Sequence, residues 1–170
     1  MWPLAFKHLD VHTISILYKT LVRPLLDYCC VIWCPFYVKD IEVLEKVQRR
    51  FTKILPTCRH LPYEDRLKVY NLPSLYARRL TFDLIFVYKI INRIINVEPY
   101  NFFDFCSNSC TRGHRFKIKV SHSRLETRRH WFSNRVIPIW NSLPAACVES
   151  RNIHSFKTFL VRHLTSLGFR

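Results

Sequence analysis

Glycine is nearly missing from this chain: two occur in 170 residues, Gly113 and Gly168. Gly-rich phosphate loops and dinucleotide fingerprints need several glycines at fixed spacing, so nucleotide-cofactor enzymes of those kinds are excluded. Acidic residues are scarce as well, 12 against 27 Lys and Arg, which gives a net charge of +15 at pH 7 with eight histidines beside it. Only Glu64 and Asp65 are adjacent carboxylates. A polymerase or nuclease centre needs clustered carboxylates to hold two divalent ions. On a short helix after Pro62 this pair instead serves as first-turn acids favouring a helix N-terminus, and no metal-dependent catalysis is expected within the chain. Long apolar runs are missing too. Residues 25–37 are broken by Asp27, and residues 80–97 by Asp83, Lys89 and Arg93, so neither suits a hydrocarbon core of about 30 Å. Lys7 and His8 stand where a signal peptide carries its apolar stretch. Seven cysteines at irregular places do not form a disulfide pattern and point to a reducing compartment. The expectation is an intracellular protein, nuclear or cytoplasmic, without a membrane or a small-molecule substrate as partner.

What is present is apolar and aromatic: 49% of the residues are hydrophobic and 15% are Phe, Trp or Tyr. That is too much for a disordered basic tail and enough for a core. Through the first two thirds, apolar residues recur every three or four positions, the helical period. Asp10 is placed to cap a helix with Ile14, Leu17, Leu21 and Leu25 on one face, and Pro24 either kinks it or opens the next helix. Cys29, Ile32 and Trp33 continue the apolar face, and Cys29, Cys30 and Cys34 are expected in the core. A second helix runs from about Lys39 to Leu55, with Ile41, Leu44, Val47, Phe51 and Ile54 as its inner stripe. A short helix over residues 63–70 follows Pro62, and Ser74 then caps a long helix carrying Leu75, Leu80, Leu84, Val87, Tyr88 and Ile91. Residues 96–110, with Pro99 and three Phe, read as a surface-packed linker.

Beyond the linker, residues 115–120 alternate Arg115, Lys117 and Lys119 with Phe116, Ile118 and Val120, a short half-buried strand with a basic face. Residues 128–142 resume the helical period through Trp131, Phe132, Val136 and Trp140, and Asn152 caps a last helix with Ile153, Phe156, Leu160 and Leu164. The fold class is mainly α, with a short basic β segment and two C-terminal helices.

The charge is unevenly spread: residues 1–85 hold 13 basic and 8 acidic groups, residues 86–170 hold 14 and 4. Residues 111–135 carry Arg112, Arg115, Lys117, Lys119, Arg124, Arg128, Arg129 and Arg135 against Glu126 alone, interleaved with His114, His122, His130 and Trp131. Cations at that density repel one another unless a polyanion neutralises them, and the Arg fork suits phosphate. Nucleic acid is the expected partner, against the alternative of a solvated basic face. With no base-reading helix motif in sight, binding is expected to be backbone-directed. Cys106, Cys110 and His114 are spaced C-x3-C-x3-H, with His122 further on. Those are zinc-type ligands, but the spacing differs from knuckles and fingers, and no metal site is assigned. Cys147 lacks an orienting partner for nucleophilic work.

Ordered strings along the chain resemble one family. They are Leu17-Tyr18-Lys19-Thr20-Leu21-Val22-Arg23-Pro24-Leu25-Leu26-Asp27-Tyr28, Trp33-Cys34-Pro35 and Leu44-Glu45-Lys46-Val47-Gln48-Arg49-Arg50-Phe51-Thr52-Lys53, then Tyr63-Glu64-Asp65-Arg66-Leu67, Arg78-Arg79-Leu80 and Tyr88-Lys89-Ile90. Thr111-Arg112-Gly113-His114, Phe132-Ser133-Asn134-Arg135-Val136 and Trp140-Asn141-Ser142-Leu143-Pro144 follow. Together they are similar to the region after the catalytic core in jockey-like LINE (non-LTR) retrotransposon reverse transcriptases, over roughly residues 5–165.

The resemblance implies a thumb-like helical region at 1–95, a linker at 96–110 and a basic C-terminal extension at 111–170, parts that help hold template RNA and primer. It implies no catalysis by this chain, which has no Asp-Asp dipeptide; in the family that motif, with its Mg2+, belongs to the palm, so no cofactor is expected here. The family usually has serines just before the Thr-Arg-Gly-His string, which weakens the zinc reading further. Arg49, Arg50 and Lys53 would lie on one helix against the template–primer backbone. Arg112, Arg115, Lys117, Lys119, Arg128 and Arg129 would extend a phosphate track, and Trp131 could stack on an unpaired base or lie in the core. Trp33 and Trp140 are expected in the core. About six phosphate contacts imply a slope of log affinity against log salt of roughly −4 to −5. The partner is then RNA or an RNA–DNA hybrid, bound without sequence preference. Two alternatives stay open: the tail of an active reverse transcriptase whose upstream exons, with their polymerase domain, were missed, and a helical protein-interaction module with no retained function.

Overall fold

The computed structural model describes residues 10–106 and 113–168 and is mainly helical. It divides into two compact units, residues 10–30 with 35–78, and residues 31–34 with 79–168. The division falls between Arg78 and Arg79, inside a helix. Residues 80–90 supply much of the second unit's core, which is why compactness groups them with the C-terminal part.

In the first unit, α1 (Val11–Leu17) begins at Asp10, whose carboxylate accepts from the Thr13 amide at 2.9 Å. A π-helical turn, Tyr18–Val22, then leads into α2 (Arg23–Asp27), with Pro24 in its first turn. The wider turn shifts the phase of the helix. Ile14 and Tyr18 are buried, but Leu21 and Leu25, expected on the same inner face, are 58% and 77% exposed. The helix stops at Asp27 and Cys29 takes φ +50. Cys29 is therefore exposed, while Cys30 is buried as expected.

Helix α3 (Val38–Phe51) turns an unexpected face inward. Gln48, Thr52 and Glu45 are buried, whereas Val47 and Ile54 of the expected apolar stripe are about two-fifths exposed. Hydrogen bonding explains the rotation. The Tyr18 hydroxyl donates to Gln48 Oε1, and Gln48 Nε2 donates to the Tyr63 hydroxyl and the Pro73 carbonyl, both at 3.0 Å. Tyr63 donates onward to Glu45. Glu45 also accepts from the Leu75 amide at 3.2 Å, setting a negative charge at the start of α5 (Leu75–Ile91). A buried polar network with every member paired fixes one register more sharply than interchangeable aliphatics do. Helix α4 (Tyr63–Tyr70) has the expected bounds and ends where Asn71 adopts a left-handed conformation. Ser74 caps α5 through the Ala77 amide at 3.2 Å.

The second unit is built on residues 79–91 of α5, where Leu84, Val87, Tyr88 and Ile90 are buried. After a 3-10 turn at Pro99–Asn101 come α6 (Glu126–Arg129), α7 (Phe132–Arg135), α8 (Ile137–Ser142), α9 (Ala145–Val148) and α10 (Ile153–Ser166). The single helix expected over 128–142 is thus three short ones. Pro138, in the first turn of α8, supplies no amide for a continuous helix. Asn152 caps α10 through the Ser155 amide at 2.8 Å, and Phe156, Leu160 and Leu164 point into the core. Tyr88 stacks on Phe156 with centroids 4.3 Å apart. Phe103, expected in a surface-packed linker, is 2% exposed and belongs to this core.

The expected basic strand is extended chain held by one antiparallel bridge, Phe105 to Ile118; the described residues contain no sheet. A side chain takes the place of a second strand. Asn141 accepts from the Ile118 amide at 2.9 Å and donates to the Ile118 carbonyl at 2.8 Å. Ile118 is buried, but Val120, on the same expected face, is 65% exposed. No described helix is long and apolar enough to cross a membrane.

Candidate nucleic-acid interface

The basic residues singled out in the sequence meet different fates. Arg49, Arg50 and Lys53 are exposed at the end of α3 and just beyond it, with the Arg49 guanidinium over the Tyr63 ring at 4.9 Å. Arg115 lies over the Phe116 ring at 4.7 Å and is 3.8 Å from the Glu149 carboxylate. Arg129 pairs with Glu126 at 2.9 Å. Lys117 is half-buried. Arg112 lies outside the described residues, as does Cys110 of the C-x3-C-x3-H spacing.

Arg135, counted among the cluster's cations, faces inward. Its Nε and Nη2 reach the two Asp83 oxygens at 2.9 and 3.0 Å, and Nη2 also donates to the Val31 carbonyl at 2.7 Å. Burial pushes the Asp83 carboxyl up from its ordinary range, and the Arg135 fork offsets part of that. This pair ties α5 to α7 and offers nothing to solvent.

The remaining cations converge on a groove in the second unit. Lys119, Arg124 and Arg128 line it together with His122, Trp131 and Tyr100, and its volume is about 790 Å³. The extended chain after Ile118 carries Lys119, His122 and Arg124, while α6 carries Arg128. The 3-10 turn at Pro99–Asn101 brings Tyr100 and the adjoining Phe102 into the same lining. None of the three cations has an ion-pair partner among the described residues, and Asp104 is the one carboxylate on the lining. The groove therefore keeps an excess of positive charge beside aromatic rings, an arrangement suited to phosphate with a ring system attached.

For Trp131 the sequence allows either stacking on an unpaired base or a place in the core. It is 65% exposed, so it lies outside the core, whereas Trp140 is fully buried. The reason is local: Trp131 caps α7 in extended conformation (φ −63°, ψ 152°), and its carbonyl accepts from the Asn134 and Arg135 amides at 2.9 Å each. Trp33, expected in the core, is 40% exposed and has Arg79 over its ring at 5.6 Å. Arg124 and Tyr100 are not among the site residues expected from the sequence, and His122 is there only a distant zinc-type ligand. Arg124 lay within the basic run, but Tyr100 is joined to the groove by tertiary folding alone.

His114 is 3% exposed, with Nε2 on the Trp140 carbonyl at 3.0 Å, and burial lowers its pKa. Gly113, at φ +121, makes the turn into it. Cys106 is exposed. Among the described residues no three His, Cys, Asp or Glu side chains gather to hold a metal ion. Burial pushes the Cys147 thiol up to about 11, so it stays protonated at neutral pH. No family model, curated protein or solved structure matches the chain.

Proposed function

We propose that the chain is the thumb and post-thumb part of a jockey-like non-LTR retrotransposon reverse transcriptase, an intracellular protein of the nucleus or cytoplasm. Its work is to hold RNA or an RNA–DNA hybrid by the phosphate backbone, without reading sequence. The ordered strings from Leu17 to Pro144 support the family origin. The observation that carries the binding is the groove with Lys119, Arg124 and Arg128 free of carboxylate partners among the described residues. Releasing the counterions of three phosphates gives a slope of log affinity against log salt of roughly −2 to −3. This is shallower than six contacts would give, because Arg115 and Arg129 have carboxylates of their own. Catalysis does not belong to this chain, and Mg2+ would serve a palm carried elsewhere.

Titration of a labelled RNA–DNA hybrid at several salt concentrations tests the reading. The wild-type chain gives the slope above, and the Arg124→Gln/Arg128→Gln double variant flattens it by roughly 1.4 to 1.8. A flat wild-type response sinks the proposal.

One observation favours a second reading, a helical protein-interaction module: Leu21, Leu25 and Tyr28 are 58%, 77% and 74% exposed near one another along the chain. Association of the chain that persists at high salt, together with absent nucleic-acid affinity, would favour it.

A further inference from the structure

The groove holds more than a phosphate track needs. Trp131 at 65%, Tyr100 at 69% and Phe102 at 42% exposure all border it, and Trp131 lies three residues from Arg128. Large aromatics left outside a core and grouped at one concavity are informative in a way that scattered exposed ones are not. A backbone-only site gains nothing from them. A volume of about 790 Å³ lies within the range of small-ligand pockets, room for one or two nucleotides inside, whereas a duplex meets the groove's cations only with its backbone, from the rim.

Trp131 is also held in place. Its amide donates to the Arg128 carbonyl at 3.3 Å, its carbonyl takes two amides of α7, and Asn134 Nδ2 bonds the Arg128 carbonyl at 2.7 Å. A ring mounted on a fixed backbone costs little further ordering when a base settles on it. Lys119, Arg124 and Arg128 share the same concavity, so a base stacked on the indole has its phosphates within the reach of cations.

We propose that this groove takes an unpaired nucleotide, its base stacked on Trp131 and its phosphates against Lys119, Arg124 and Arg128, so that the chain prefers single-stranded nucleic acid to duplex. The inference rests on the nucleic-acid reading above and adds the strand state. Stacking is indifferent to which base is offered, because every base has a π face. The site therefore tells paired from unpaired without reading sequence.

Fluorescence anisotropy on the full chain tests it with three probes: a 12-nucleotide single-stranded RNA of mixed sequence, the same RNA annealed to its complement, and a DNA 12-mer with abasic sites at alternate positions beside its base-bearing parent. The RNA single strand is expected to bind more tightly than its duplex, and the parent DNA more tightly than the abasic strand. Trp131→Ala weakens single-strand binding roughly five- to 150-fold, the span that base–aromatic stacking covers. Trp131→Phe restores most of it, and the loss in Trp131→Ala is larger for the single strand than for the duplex. Equal affinity for single strand and duplex, or an unchanged single-strand affinity in Trp131→Ala, overturns this inference and leaves backbone binding standing. Absence of salt-dependent binding to every probe overturns both. The abasic comparison needs no variant and holds whatever Trp131→Ala does to folding.

Discussion

Replacing Arg135 separates a structural cation from the binding cations around it. The side chain is 14% exposed and its partner Asp83 is 6% exposed, so the pair behaves as a buried one. An exposed pair contributes about 0 to 1 kcal/mol, because water competes for both charges. Removing one member of a buried pair costs about 3–5 kcal/mol, since the other stays desolvated and unneutralised. Arg135→Met keeps much of the packed stem and removes only the fork. The expected loss is therefore about 3–5 kcal/mol, which for a unit of this size lowers the melting temperature by more than about 12 °C.

Urea denaturation followed by circular dichroism at 222 nm reads the loss directly. The double variant Arg135→Met/Asp83→Leu should recover part of it, since no charge is then left behind. Recovery stays incomplete because the Val31 and His130 carbonyls have lost their donor. At temperatures where it remains folded, Arg135→Met should leave the salt dependence of RNA binding unchanged. A loss below about 1 kcal/mol, the value of an exposed pair, would refute the reasoning, as would a flattened salt slope.

Two further expectations concern the same unit. His114 is held neutral by burial, with its pKa below the ordinary 6.5. The stability it contributes is present above 6.5 and is lost as pH falls through that value toward the lowered one, because the unfolded chain takes up the proton first. The urea midpoint should therefore drop between pH 7.5 and 5.5 more steeply in the wild type than in His114→Gln, and parallel profiles would count against the assignment. Asn152→Ala removes the α10 cap and should cost about 1 kcal/mol by the same denaturation assay; a neutral result would mean that packing of Phe156 and Leu160 alone sets the helix start.

Signals confined to a few neighbouring residues were legible in the sequence. The caps at Asp10, Ser74 and Asn152 depend on a side chain and an amide three residues on, and the stripes of α5 and α10 are one helix period repeated. What escaped was set by partners distant along the chain. The inward face of α3 follows Tyr18, Tyr63 and the Leu75 amide, none of them near Gln48 in sequence. Arg135 looked like one more cation in a basic run until Asp83, 52 residues earlier, took its guanidinium. Phe103 read as linker because its neighbours are irregular, although its ring lies in the core. For the interface, the density of positive charge between residues 111 and 135 was plain, but the lining contributed by Tyr100 and Phe102 was not.

The double hydrogen bond from Asn141 to Ile118 has a consequence for solubility. A strand edge is hazardous because its free amide and carbonyl invite another chain to extend the ladder. At Ile118 both groups end on a single side-chain amide, which has no further backbone to offer a newcomer. The extended chain with its alternating cations is thus sealed at its centre, and the most strand-like stretch of the sequence gives a second copy no ladder to lengthen there.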